Sequence, residues 1–220
     1  MSLRRSQFSD ECGYAVDGTG PARRLLLLPG AGADPSFWRP LGERLPAHWQ
    51  KHYFGWPGLG NQAPSPKVQR FDDLVAMVAA ELDDRPVDLL AQSMGGAIAL
   101  RLALDYPQRI RRLVLTVTAG GLDVAALGAT DWRPDYRRAY PHAQSWIMDT
   151  RPNFQEELSS ITQPTLLLWG DADPISPVAV GERLRSLLPN ASLVTVAGGN
   201  HGLAHDRAAD LVEVVAAHLA

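Results

Sequence analysis

The sequence predicts an α/β fold, a mostly parallel central sheet flanked by helices with a short helical lid. Three observations carry that expectation. Short apolar runs rich in Leu and Val alternate with longer stretches of helical periodicity. The runs are apolar throughout instead of at every second residue, which is the pattern of strands buried on both faces of a parallel sheet. Several of them end in glycine-containing turns, at the edge where open sheets of this class gather ligands and chemistry.

Along the chain, residues 4–9 and 12–16 are expected to pair as an antiparallel hairpin at the sheet edge. Leu25-Leu26-Leu27-Leu28 is the first buried strand, and Phe37-Trp38 opens a helix beyond the turn Pro29-Gly30-Ala31-Gly32. Residues 51–54 form a further strand. Residues 71–84 set Leu74, Val75, Val78 and Leu82 on one helical stripe. Strand 87–91 runs into a helix over 94–105 that is apolar on most sides, as a helix wedged against the centre of a sheet must be. Strands 113–117, 165–169 and 193–196 and amphipathic helices 179–188 and 208–219 complete the alternation. One stretch interrupts it. Residues 120–163 hold no strand signal, several prolines, and the aromatics Trp132, Tyr136, Tyr140, Trp146 and Phe154. Connections of that length within a compact domain are commonly lids or binding elements. The expectation is one domain over 1–220 with a lid insertion at about 120–163.

Composition narrows the function classes. The 220 residues, 45% hydrophobic and 20% charged, suit one globular domain with a substantial core. A net charge of −3 and scattered arginines give no field that would favour nucleic acid or an acidic membrane surface. The single cysteine, Cys12, excludes an intrachain disulfide and is read as incidental. The start is polar and no apolar run approaches bilayer length, so a cytoplasmic location is expected. Nothing in the composition specifies an oligomeric state.

The clearest chemical signal is Leu89-Leu90-Ala91-Gln92-Ser93-Met94-Gly95-Gly96-Ala97. A strand meets a serine flanked by small residues, and a helix begins at once, which is the turn that lifts a nucleophilic hydroxyl above a sheet edge. Small neighbours are required because bulk two residues away would strike the adjoining strand or helix. Ser93 would also sit at a helix N-terminus, where the Met94 N–H and the helix dipole favour a developing oxyanion. A helix N-cap is the commoner reason for a serine in such a place, so the motif alone leaves both readings open.

Two further loops supply context. Strand 165–169 ends in Gly170-Asp171-Ala172-Asp173-Pro174, and strand 193–196 in Ala197-Gly198-Gly199-Asn200-His201-Gly202. Asp173 lies far enough into its loop to orient a histidine, whereas Asp171 is better placed to brace the turn. His201, on a glycine-rich loop, can reach Ser93. His48, His52, His205 and His218 fall in or beside regular elements and read as surface or packing residues, and His142 falls in the insertion. Each of the three follows an expected strand on the same sheet edge, and the order Ser, Asp, His distinguishes this arrangement from other triads.

These residues resemble the α/β-hydrolase superfamily, and the resemblance covers nearly the whole chain. Ala91-Gln92-Ser93-Met94-Gly95-Gly96 is similar to the nucleophile elbow, with Ala91 in place of the usual glycine. Pro29-Gly30-Ala31-Gly32 resembles the oxyanion loop, with Pro29 in place of a histidine. Trp56-Pro57-Gly58-Leu59-Gly60 resembles the loop that follows the family's fourth strand. The acid motif Gly-x-x-Asp falls on Gly170 and Asp173, and the base on His201. The resemblance implies Ser93, Asp173 and His201 as catalytic residues and the N–H groups of Ala31 and Met94 as the oxyanion hole. Trp38 and the insertion's aromatics, Trp146 among them, are expected to shape an apolar substrate pocket.

The implied reaction is hydrolysis of a small-molecule carboxylic ester, thioester or lactone through an acyl-enzyme, with no metal or organic cofactor. Two alternatives stand beside it. A carbon–carbon bond hydrolase or lyase would use the same triad and need cations such as Arg133, Arg137, Arg138 or Arg151 to hold a substrate carboxylate. A non-catalytic ligand-binding protein of the same fold would have no chemical need for all three triad members.

Overall fold

A computed structural model describes residues 23–220. The hairpin expected at 4–9 and 12–16, and Cys12, lie outside the described residues. Six strands, β1 (Arg24–Leu28), β2 (Gln50–Tyr53), β3 (Val87–Gln92), β4 (Ile110–Thr116), β5 (Thr165–Gly170) and β6 (Ala191–Val196), form one sheet in the order β2-β1-β3-β4-β5-β6. Every pairing among them is parallel. β1, β3 and β5 are buried almost end to end, while the outer strands β2 and β6 alternate. That difference follows from position: a central strand is covered on both faces, an outer one is not.

The described residues also form eight α-helices: α1 (Arg39–Gly42), α2 (Phe71–Ala79), α3 (Met94–Asp105), α4 (Arg133–Ala139), α5 (Trp146–Asp149), α6 (Val178–Leu187), α7 (Leu203–Asp206) and α8 (Ala208–Leu219). α3 packs on β1, β3 and β4 and against α2, whereas α1 packs with α7 and α8. α3 buries eight of its residues from Gly95 to Ala103, as its all-round apolar sequence requires. α8 buries Ala208, Leu211, Val215, Ala216 and Leu219, a spacing of three and four that makes one stripe. Among the described residues, no helix is long and apolar enough to cross a membrane.

Several boundaries differ from the sequence expectation. α2 stops at Ala79 instead of reaching residue 84. Asp83 takes the Arg85 N–H on its own carboxylate in a turn, and Pro86 disfavours helical backbone at the residue before it. β4 starts three residues earlier than expected and ends at Thr116, because Val117 has a positive φ of 42° and turns the chain out of the sheet. The helix expected from Phe37-Trp38 is a turn followed by the single-turn α1.

The strand order puts the chain's reversal between β1 and β3, where Leu28 pairs with Ala91. In open α/β sheets this switch point opens a crevice beyond the strand ends. The loops after β1 and β3 therefore leave the sheet side by side. At the opposite end of the sheet the charge is unusual. Asp88 is 1% exposed, pairs with Arg111, and leaves its Oδ1 without a hydrogen-bond partner. Burial pushes its carboxyl above the ordinary value, with Arg111 opposing the shift.

Candidate active site

Only one residue separates β3 from α3, and it must reverse the chain. Ser93 does so at φ 52° and ψ −120°, a region that costs a non-glycine residue about 1–3 kcal/mol and persists only where its surroundings enforce it. They do. The Ser93 N–H donates to the Thr116 carbonyl at 3.0 Å, and its own carbonyl accepts from Gly96 N–H at 3.0 Å and Thr118 Oγ1 at 2.6 Å. The glycines that follow have no room for a side chain. A Cβ on Gly95 would lie 2.5 Å from the Leu28 carbonyl oxygen, and one on Gly96 would lie 2.4 Å from Thr118 Oγ1. Ser93 makes no side-chain cap to α3. Its hydroxyl faces a histidine instead.

That histidine is His201, whose Nε2 lies 3.0 Å from Ser93 Oγ. Its Nδ1 lies 2.7 Å from Asp173 Oδ2, and the other oxygen of Asp173 accepts the Ile175 N–H at 2.9 Å. The Asp173 side chain is fully buried while His201 keeps 26% of its side-chain surface. A carboxylate at Nδ1 favours the tautomer that protonates that nitrogen and leaves Nε2 as the acceptor facing Ser93. Asp171 takes no part in this relay. It is exposed and accepts the Gly198 N–H at 2.6 Å, bracing the crossing of the two loops. Those loops touch at Gly170 and Gly199, where a Cβ on Gly170 would lie 2.1 Å from the Gly199 carbonyl oxygen.

Beyond β1 the chain makes a turn closed by the Ala33 N–H on the Gly30 carbonyl at 3.0 Å. The neighbouring carbonyls are each held by a side chain. Trp38 Nε1 donates to Leu28, Trp56 Nε1 to Pro29, and the Tyr136 hydroxyl to Ala31, all at 2.9 Å. Among the described residues, no acceptor takes the N–H of Ala31 or of Met94. Gly30 packs so closely that an added Cβ would lie 3.0 Å from Ser93 Cβ, which sets the turn directly beside the serine.

The structure thus brings Ser93, Asp173 and His201 together and lays the Ala31 turn alongside. It treats the two substrate-pocket tryptophans differently. Trp38 is 1% exposed and braces the end of β1, so its indole supports the turn instead of presenting a surface to a ligand. Trp146 is half-buried and donates to Gln144 Oε1 at 2.5 Å. Among the insertion's arginines, Arg133 and Arg151 donate to main-chain carbonyls of Met148 and Thr150, and Arg138 pairs with Asp135. His142 is exposed.

Three residues of the site were assigned no individual role from the sequence. Gln92, 5% exposed, donates to the His201 carbonyl at 3.0 Å and touches Gly30, joining the His201 loop to the turn beyond β1. Thr118 holds the serine's carbonyl, and Tyr136 reaches the Ala31 turn from the insertion. The only sequence signal was a polar residue inside an apolar strand for Gln92. Nothing local distinguishes Thr118 or Tyr136. Among the described residues, no cluster of His, Cys, Asp and Glu could hold a metal ion.

Comparison with known proteins places the fold. A family model described as alpha/beta hydrolase fold matches residues 23–151, and one described as TAP-like protein matches residues 134–220. A pimeloyl-acyl-carrier-protein methyl ester esterase of Neisseria meningitidis is 30% identical, over 81% of this chain and 86% of its own. A poly(3-hydroxyalkanoate) depolymerase of Ectopseudomonas oleovorans is 28% identical, over 80% of this chain and 77% of its own. Among solved structures, a meta-cleavage product hydrolase from Pseudomonas fluorescens superposes with a TM-score of 0.69 at 19% identity, covering 91% of each chain.

Proposed function

Because the chain belongs to the alpha/beta hydrolase fold family, we propose that it is a serine hydrolase that cleaves a carboxylic ester through an acyl-enzyme. The observation that carries this reading is the unbroken relay from Asp173 to His201 to Ser93, at 2.7 and 3.0 Å, ending on a serine held in strained backbone. His201 Nε2 takes the Ser93 proton as Oγ attacks the ester carbonyl carbon. The carbonyl oxygen becomes an oxyanion facing the N–H groups of Ala31 and Met94. His201 returns the proton to the departing alkoxide, leaving an ester of Ser93. Water, deprotonated by His201, then attacks that ester, and the acid departs as Ser93 is reprotonated. Asp173 holds the imidazole orientation and stabilises its charged form throughout. No metal or organic cofactor enters these steps.

The two curated relatives are named for esters, one a methyl ester and the other a polyester, which favours an ester over a carbon–carbon bond. The arginines that a carboxylate-binding lyase would need are mostly engaged within the insertion. In this reading residues 120–163 act as a lid over a single hydrolase domain, and the substrate is a small molecule. Incubation with a fluorophosphonate is expected to label Ser93, and Ser93→Ala is expected to lose about 10⁴-fold or more in turnover of a nitrophenyl ester. Unchanged turnover in Ser93→Ala would overturn the mechanism, and absence of labelling would favour a ligand-binding protein.

A further inference from the structure

The loop that faces the serine is held from three separate parts of the chain. Its carbonyls at Leu28 and Pro29 are taken by buried indoles of the loops that follow β1 and β2. The carbonyl at Ala31 is taken from much further away, by the Tyr136 hydroxyl on α4. The same hydroxyl accepts the Gly60 N–H at 2.9 Å. Gly60 in turn sits at φ 53° against the turn, where a Cβ would lie 2.0 Å from the Gly32 carbonyl oxygen. One phenol oxygen thus joins the Ala31 turn, the loop after β2 and the helical insertion.

We propose that Tyr136 is a positioning residue for the oxyanion: by holding the Ala31 carbonyl it fixes the orientation of the residue whose N–H faces the attacked carbonyl. The inference rests on the serine-hydrolase reading of the site. Packing alone does not account for the hydroxyl. The Tyr136 ring is 8% exposed and lies between Trp132, edge-on at 5.3 Å, and Tyr140 at 4.9 Å, contacts that phenylalanine would keep. What the oxygen adds is one bond donated and one accepted, each across more than seventy residues of sequence. Burial pushes the phenol above its ordinary value, so it stays protonated and able to donate across the neutral pH range. A second strap, Gln144 N–H to the Gly58 carbonyl at 2.8 Å, fastens the insertion to the same loop. The insertion is therefore tied to that loop at two points, through the Tyr136 hydroxyl and the Gln144 N–H. A preorganised donor matters most when it cannot swing away as charge develops, and small misplacements of such groups cost rate far more than binding.

The test is Tyr136→Phe, assayed per active site after fluorophosphonate titration so that misfolded protein is not counted. The expected result is a fall in kcat of roughly 10- to 100-fold, with KM changed less than about threefold and boronic-acid inhibition weakened in parallel with kcat. Amide hydrogen exchange across residues 29–33 should quicken in the variant. Unchanged kcat, or a loss matched by KM with boronic-acid affinity intact, would overturn the assignment. Should wild-type protein neither label nor hydrolyse esters, the hydrolase reading falls by itself. The exchange measurement still decides whether Tyr136 holds the turn, and equal exchange in the two proteins would refute it.

Discussion

Asp173 shows how narrow the tolerance is at a single residue. Its two oxygens face different donors, the His201 ring on one side and the Ile175 N–H on the other. A carboxylate accepts on both oxygens, whereas an amide accepts on one and donates on the other. Asp173→Asn therefore must either turn its NH₂ toward the Ile175 N–H or offer it to His201. The second choice forces the proton onto Nε2, where the ring can no longer accept from Ser93. The expected outcome is a loss of about 10³- to 10⁴-fold in kcat with little change in Tm. A variant retaining more than a tenth of wild-type turnover would show that the buried acid is dispensable. In the proposed mechanism, Ser93 depends on this buried partner for its reactivity.

Between elements, the site is set by how closely loops can cross. The loop carrying His201 passes over the end of β5 at a point that only Gly170 allows, since a Cβ there would meet the Gly199 carbonyl at 2.1 Å. Gly170→Ala is expected to displace the histidine loop, cutting turnover by at least about 100-fold and lowering Tm by several degrees. Gly128→Ala serves as its control. Gly128 has φ +83° but nothing within 4 Å of an added Cβ, so only backbone strain of about 1 kcal/mol is expected, with activity unchanged. Equal effects of the two changes would mean the crossing is not what fixes the histidine.

The same contrast explains what the sequence made legible. Strand cores such as Leu25–Leu28, the start of α3 at Met94, and the order Ser93, Asp173, His201 could be read because each is written locally, in periodicity or in a loop of special composition. The end of α2 was misplaced because an apolar stripe continued to Leu82 while Asp83 and Pro86 were already closing a turn. Trp38 was expected at a pocket and lies in the core instead. Its bond to the Leu28 carbonyl spans only ten residues, but no local pattern marks it. Those of Gln92 and Tyr136 join residues 109 and 105 apart, which no window of sequence contains.

At the scale of the whole molecule, the two ends of the sheet divide the labour. Ser93, Asp173 and His201 gather beyond the C-terminal strand ends, while Asp88, paired with Arg111, lies at the other end and His218 of α8 packs against β4. His218 Nε2 lies 3.0 Å from the Leu113 carbonyl. Burial, with repulsion from Arg112 and Arg111, lowers its pKa from the ordinary 6.5 to about 4. Between those values the unfolded chain binds a proton that the folded one refuses, so this contribution is intact above pH 6.5 and is lost as pH falls through about 4. Asp88, shifted upward, acts in the opposite sense. The informative quantity is thus the difference between wild type and His218→Gln, which keeps a neutral donor. Urea midpoints at pH 7 and 4.5 should fall further in wild type than in the variant, and parallel falls would refute the assignment. The braced turn beyond β1 also bears on redesign. Grafted alone into another scaffold, residues 28–32 would arrive with three carbonyls stripped of the two indoles and one phenol that hold them. The portable module is that turn with Trp38, Trp56 and Tyr136, a cassette scattered across half the chain and exchangeable only as a set.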